Sequence, residues 1–191
     1  MKSVLMALVG FVLGGVATFF IVGGGTGGGG VTPEQMANAV HTVLEADRIV
    51  YTEKIINRLT QEEKVIKASE HWKDEKALLL PAQMFRAGSE IVQKKGSGFT
   101  YALLSLWPIN DQNKPKTPAE EEGLKAVLEG DKPFFAEETL GKKRYFTAVY
   151  ADKAVSQACV VCHNNHKDSP KTDFELNEIM GGVVIRIPLD S

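Results

Sequence analysis

The chain holds only two cysteines, and both lie in one short stretch: Cys159-Val160-Val161-Cys162, followed at once by His163. Cys-x-x-Cys-His is the attachment signature of a c-type haem. Two thiols add across the two vinyl groups of a porphyrin and form thioethers. Two intervening residues let both sulfurs reach one edge of the ring, and the adjacent histidine can turn under the plane to give its imidazole to the iron. On this reading Cys159 and Cys162 anchor one covalent haem c, and His163 is the proximal iron ligand. Two other chemistries use the same residues. A structural zinc ion could draw on Cys159, Cys162, His166 and one further ligand, but that leaves His163 without a role. A redox dithiol belongs beside a βαβ unit, whereas this pair follows a strand of antiparallel character near the end of the chain. Haem ranks first, zinc second and the dithiol third.

Such a site needs a scaffold and a place to work. The chain has 191 residues, 43% of them hydrophobic, enough for one domain with a real core. Its formal net charge of −2 gives no basic excess for a nucleic-acid partner. The N-terminus differs from the rest. Val4 to Val22 is apolar and uncharged, long enough for a helix that crosses a bilayer. Lys2 before it leaves a cleaved signal peptide as the rival. The length of the run, the lack of an obvious small-x-small cleavage site and the glycine-rich stretch that follows favour an anchor. Residues 1–22 are therefore expected to form a single transmembrane helix and residues 23–31 a flexible tether. Positive charge at the N-terminus places it on the cytoplasmic side and the rest of the chain on the exported side.

Residues 32–191 are expected to form the functional domain. Thr32-Pro33-Glu34 starts a helix, with threonine as cap, proline in the first turn and an acid beside it. Apolar residues then recur at helical spacing from Val40 to Ile66, predicting a helix over 33–70 about 55 Å long. A helix of that length offers a face for pairing with a second copy as well as a face for the core. A second helix is predicted from Pro81 to just before Gly96, and a short one ending at Gly130. Strands are predicted at Phe99–Trp107, Arg144–Ala151 and in the closing Gly-Gly-Val-Val-Ile-Arg-Ile-Pro-Leu. Together they give an α+β domain on an antiparallel sheet.

The stretches PAQMFR, LSLWPIN, ACVVCHNNHKDSPKTDF and GGVVIRIPL resemble those of the c-type haem-binding PAS-like domains. These occur as periplasmic sensor regions and as free-standing cytochromes. The resemblance spans about Leu78 to Leu189 and extends more loosely over the long helix. It implies a PAS-like, five-stranded antiparallel sheet with haem held near its C-terminal end. Some members use a cysteine as the second axial ligand, but none remains here for that role. Asn164, His166, Ser169 and Asp173 fall in the family-like stretch and read as loop-forming hydrogen-bonders first, haem-propionate contacts second.

The expected function is a membrane-anchored monohaem c-type cytochrome. It would sit in the inner membrane by a single span, with its haem on the periplasmic side, and pass single electrons to a redox partner protein. The alternative is a haem-based redox or gas sensor acting through a separate signalling partner. No acid, base or nucleophile converges outside the motif, so an enzyme is not expected. For the sixth iron position Met84 is favoured over His71, with an open site third. Met84 lies on the helix of strongest resemblance, and a thioether raises the potential.

Overall fold

The computed structural model of the protein describes residues 30–130 and 132–189. The expected span at 1–22 and nearly all of the tether lie outside them. Among the described residues no helix is long and apolar enough to cross a membrane.

Helix α1 (Pro33–Val50) opens on a capping box: the Thr32 hydroxyl accepts from Gln35 N–H, and the Gln35 side chain reaches back to Thr32 N–H. It continues without a break into a wider, π-wound segment, Tyr51–Glu62. The long helix thus ends at Glu62, not at residue 70. Lys64 takes a left-handed conformation (φ 55°), and the chain turns back so that Ala68 bridges Leu78 in a single parallel pairing. Ile66 extends the helical spacing only by coincidence, because it lies past that turn. Short α2 (Trp72–Glu75) leads to α3 (Pro81–Lys95), which stops at Gly96 with φ 63°. Helix α4 (Pro118–Gly130) and the motif helix α5 (Gln157–Asn165) complete the α-helices among the described residues.

Among the described residues four strands, not five, form one antiparallel sheet in the order β1-β4-β3-β2: β1 Thr100–Leu104, β2 Phe134–Leu140, β3 Lys143–Lys153 and β4 Ile179–Pro188. The period-2 alternation of strands sorts side chains to two faces. Tyr101, Ala148, Tyr150, Val183, Ile185 and Ile187 point to one face, where Ala37, Val40 and Leu44 of α1 and Phe85 and Val92 of α3 cover them. Leu104, Val149 and Val184 point to the other, where α4 lays Leu124 and Val127 on them. Polar groups at these seams find partners. The Tyr150 hydroxyl donates to Asn38 Oδ1 at 2.8 Å, and the His41 ring stacks on Tyr150 at 4.0 Å between centroids.

The centre of the sheet has close approaches that only glycine allows. A Cβ on Gly181 would collide with the Leu104 carbonyl of β1, and one on Gly182 would lie 2.9 Å from both Leu124 and Val149. The β3–β4 register shifts at Asp152/Lys153. Such an irregularity bends the strand end and re-aims its side chains. Here it marks the point where β3 gives way to the motif helix.

Candidate functional site

Helix α5 carries the motif, and three contacts hold it in place. Its cap is Ser156, whose hydroxyl accepts from Ala158 N–H and donates to Asn57 Oδ1 at 3.0 Å. The turn before it is tied to the residues that lead into β4 by Ala154 N–H to Glu178 O and Asn177 N–H to Ala154 O, each 2.9 Å. Its apolar side, Val160, packs into a small core with Ala154, Phe174 and Met180, which Trp107 and Cys159 border.

Positions three and four apart share a helix face, so Cys159, Cys162 and His163 project together. All three line one cavity of about 880 Å³, within the range of about 300–1,000 Å³ typical of small-molecule sites. Its opposite wall comes from the long helix through Arg48, Thr52 and Ile56. The wider π winding keeps residues four and five apart on one side there. The mouth is formed by exposed residues such as Gln61, Lys64 and Glu70, while buried Thr52, Asp152 and Met180 form the floor.

The electrostatics of the motif residues follow from this burial. The His163 imidazole is driven down to about 4, first by desolvation and then by the nearby Arg48 and His166, so it is neutral at physiological pH. Its Nδ1 is buried without a hydrogen-bond partner, and its ring stands edge-on to Phe174 at 5.9 Å. Burial also raises both thiols, Cys159 with Arg48 opposing and Cys162 with Cys159 and Glu70 assisting. The two sulfurs are not bonded to each other. A neutral imidazole keeps a lone pair for a metal, and two thiols on one face beside a cofactor-sized cavity suit a doubly attached porphyrin. The residues present therefore fit a c-type haem.

They do not fit zinc. His166 Nδ1 accepts from Asp168 N–H at 3.1 Å and its Nε2 donates to Glu70 at 2.7 Å, so both ring nitrogens are engaged. Among the described residues no group of three or more histidines, cysteines and carboxylates is arranged to hold a metal ion. The rest of the loop behaves as hydrogen-bonding scaffold. Asn164 exchanges two bonds with the Phe174 backbone, at 2.9 and 3.0 Å. Ser169 Oγ donates to Lys171 O, and Asp173 pairs with Lys171.

The candidates for a sixth ligand scatter. Met84 is not among the residues lining the cavity, although its neighbours Gln83 and Arg86 are. His71 is exposed at the start of α2 and also lies off the cavity wall. Met36 packs against the sheet and His41 stacks on Tyr150. Met180 does line the cavity, from within the core that seats α5.

Arg48, Thr52 and Asp152 went unnoticed in the sequence, yet they are central to the cavity. Arg48 forms a short ion pair with Asp152. Burial pushes the Asp152 carboxyl up, with Arg48 opposing. A signal was present: Val40, Leu44, Arg48, Thr52 and Ile56 follow one another at intervals of four. Two polar residues inside an apolar stripe are buried polar residues, and those need a reason.

A family model described as Tll0287-like: Tll0287 matches residues 32–188 of the chain. In fold the chain is similar to the crystal structure of the cyanobacterial haem protein Tll0287, with a TM-score of 0.55. The identity is 14%, over 84% of this chain and 98% of that one. No curated protein matches the chain.

Proposed function

The chain belongs to the Tll0287-like family, and from that membership and the geometry of its cavity we propose that it carries one covalently attached c-type haem and serves as a membrane-tethered one-electron carrier on the exported side of the membrane. The observation that carries this reading is the joint placement of Cys159, Cys162 and a neutral, half-buried His163 on one wall of a cofactor-sized cavity. The cyanobacterial relative of like fold is a haem protein by its title, which supports the same cofactor here. Bound haem would supply a one-electron ferric/ferrous couple.

The chain's own residues do the rest. Cys159 and Cys162 would hold the ring edge, and Phe174, fixed by the Asn164 bonds, stands edge-on to the His163 ring. The apolar walls Ile56, Leu104 and Trp107 exclude water. Exposed Cys162 would leave an attached edge near solvent, where a redox partner protein could approach. The apolar run Val4 to Val22 supports a single membrane anchor with the domain on the periplasmic side.

The sensor alternative is favoured by one observation: neither Met84 nor His71 lines the cavity, which leaves room for a sixth position open to an outside ligand.

Haem attachment is tested by denaturing electrophoresis with peroxidase haem staining. The wild-type band should stain and Cys159→Ser/Cys162→Ser should not. A stain-free wild type made in a strain competent for cytochrome c maturation would overturn the reading. Carbon monoxide then separates the alternatives, since it shifts the ferrous spectrum of a sensor with an exchangeable position and leaves a closed carrier unchanged.

A further inference from the structure

Helix α1 carries two apolar stripes. Met36, Ala37, Val40 and Leu44 belong to the core against the sheet. Ala39, Val43, Ala46 and Val50 are exposed, Val43 by 60% and Val50 by 55%. At about 100° per residue the second set stands on the side of the helix turned away from the first. A surface helix ordinarily puts charged and polar residues there. The outer stripe runs for about 16 Å. Gln35 precedes it, and exposed Lys54 follows it once the winding has changed at Tyr51.

The four residues follow one another at steps of four, three and four. That is the spacing of a coiled-coil seam, with valine at the a positions and alanine at the d positions. β-branched residues at a suit a parallel pair of helices, and alanine lets two backbones come close. The flanking g and e positions are Thr42, Asp47, Ile49 and Lys54. In a parallel pair Asp47 of one copy meets Thr42 of the other, and Lys54 meets Ile49, so these positions oppose no like charges.

The occupant follows from where the chain goes. Helix α1 begins at Pro33, directly after the glycine-rich residues 23–31 and the apolar run Val4 to Val22. Four small side chains fall well short of the roughly 800 Å² per partner that a stable interface buries. A face of this size pairs only with a partner already held nearby in a matching orientation. Anchoring in one membrane confines copies of the chain to a thin layer and aligns their helices, which removes much of the translational and rotational cost of association. A second copy meets that condition and a freely diffusing protein does not.

We propose that Ala39, Val43, Ala46 and Val50 form the seam of a parallel homodimer of the anchored chain, α1 against α1. The inference rests on the membrane anchor of the reading above and is independent of the haem. Arg48 and Thr52, on the other side of the helix, keep their place in the cavity wall.

The test uses the full chain in lipid vesicles at a low protein-to-lipid ratio, oxidised with copper phenanthroline and run on non-reducing gels. Haem-loaded protein has its two native sulfurs held as thioethers. Should it carry no haem, Cys159→Ser/Cys162→Ser provides the same thiol-free parent. Ala39→Cys and Val50→Cys, at the two ends of the seam, should each cross-link to themselves. Glu45→Cys, exposed on the same helix but off the stripe, should not. Adding Val43→Asp to Ala39→Cys should cut the cross-linked fraction about tenfold or more, because it sets like charges opposite each other in the seam. It should leave the thermal melt unchanged, because Val43 is exposed and outside the core. Ala39→Cys that links only to Val50→Cys in a mixture of the two would mean antiparallel pairing and overturn the proposal. So would anchored protein in which neither end variant cross-links more than Glu45→Cys, or in which Val43→Asp makes no difference. Protein released from membranes by an alkaline wash overturns the anchor and this inference with it. Should Val43→Asp fail to fold, the pattern of the three cysteine variants decides the matter by itself.

Discussion

Asn164 follows His163 directly and closes a small ring of hydrogen bonds with the Phe174 backbone, which sets that aromatic edge-on to the imidazole. Both bonds serve backbone groups of a part-buried loop. We expect Asn164→Ala to cost about 2 kcal/mol in urea denaturation, from two lost bonds and two stranded backbone groups. Asn165→Ala, whose exposed side chain caps only the Val161 carbonyl, should change stability by less than about 0.5 kcal/mol. Equal losses in the two variants would mean that the Phe174 loop is not what fixes the histidine. At this scale the motif side of the cavity was legible because its residues stand in five adjacent positions. The opposite wall was not, because nothing local distinguishes an arginine that folds inward over a cavity from one on a solvated helix face. Arg48 becomes a site residue only through Asp152, a partner on a distant strand.

The elements tell a similar story. Helices with caps and glycine stops were readable, since Thr32, Pro81 and Gly96 act through their immediate neighbours. Strand β2 was missed. Its sequence, Phe-Phe-Ala-Glu-Glu-Thr-Leu, has its apolar alternation broken, because Phe135 is apolar on the outward side and the inward position 138 is a glutamate. Glu138 is accommodated by long-range partners: Arg186 Nε donates to it at 2.8 Å, Thr147 donates to it at 2.6 Å, and Arg186 also holds Glu120 at 2.8 Å. Burial pushes the Glu138 carboxyl up, but the hydrogen bonds from Thr147 and Arg186 outweigh it and hold the group below its ordinary range. Arg186→Met should therefore strand two buried carboxylates and cost about 3–5 kcal/mol. Adding Glu138→Gln should recover part of that loss. A loss below about 1 kcal/mol for Arg186→Met would show that this network is solvated and not structural. The end of the long helix was misplaced for a related reason: Lys64 adopts a left-handed turn that favours glycine, and a lysine gives no warning of it.

For the molecule as a whole, pH is a probe of how the long helix seats on the sheet. Burial lowers His41 from its ordinary 6.5, with Glu45 partly opposing. The unfolded chain then takes up a proton that the folded chain resists. Stability conferred by a neutral His41 is present above about pH 6.5 and is lost as pH falls toward the lowered folded value. Thermal melts of the haem-loaded protein from pH 7.5 to 5 should show this decline, and His41→Phe, which keeps the stack on Tyr150, should flatten it. Parallel curves for the two proteins would exclude His41 as the source. The same contacts bear on the order of events when the chain is made. The cavity closes through pairs far apart in sequence, Arg48 with Asp152 and Asn57 with Ser156, with separations of 104 and 99 residues. Contacts of such range form late, because the entropy of closing a long loop must be overcome first. Until they form, Cys159 stays unburied, and its thiol lacks the desolvation that raises it in the closed domain, whereas Cys162 is exposed in both states. We therefore expect alkylation of Cys159 in a pulsed refolding experiment to be fast early and to slow sharply as the long helix docks, with exposed Cys162 as the unchanged reference. A cofactor fixed in that early interval would be in place before its second wall arrives, so the chain would close around it as a mould closes around a casting.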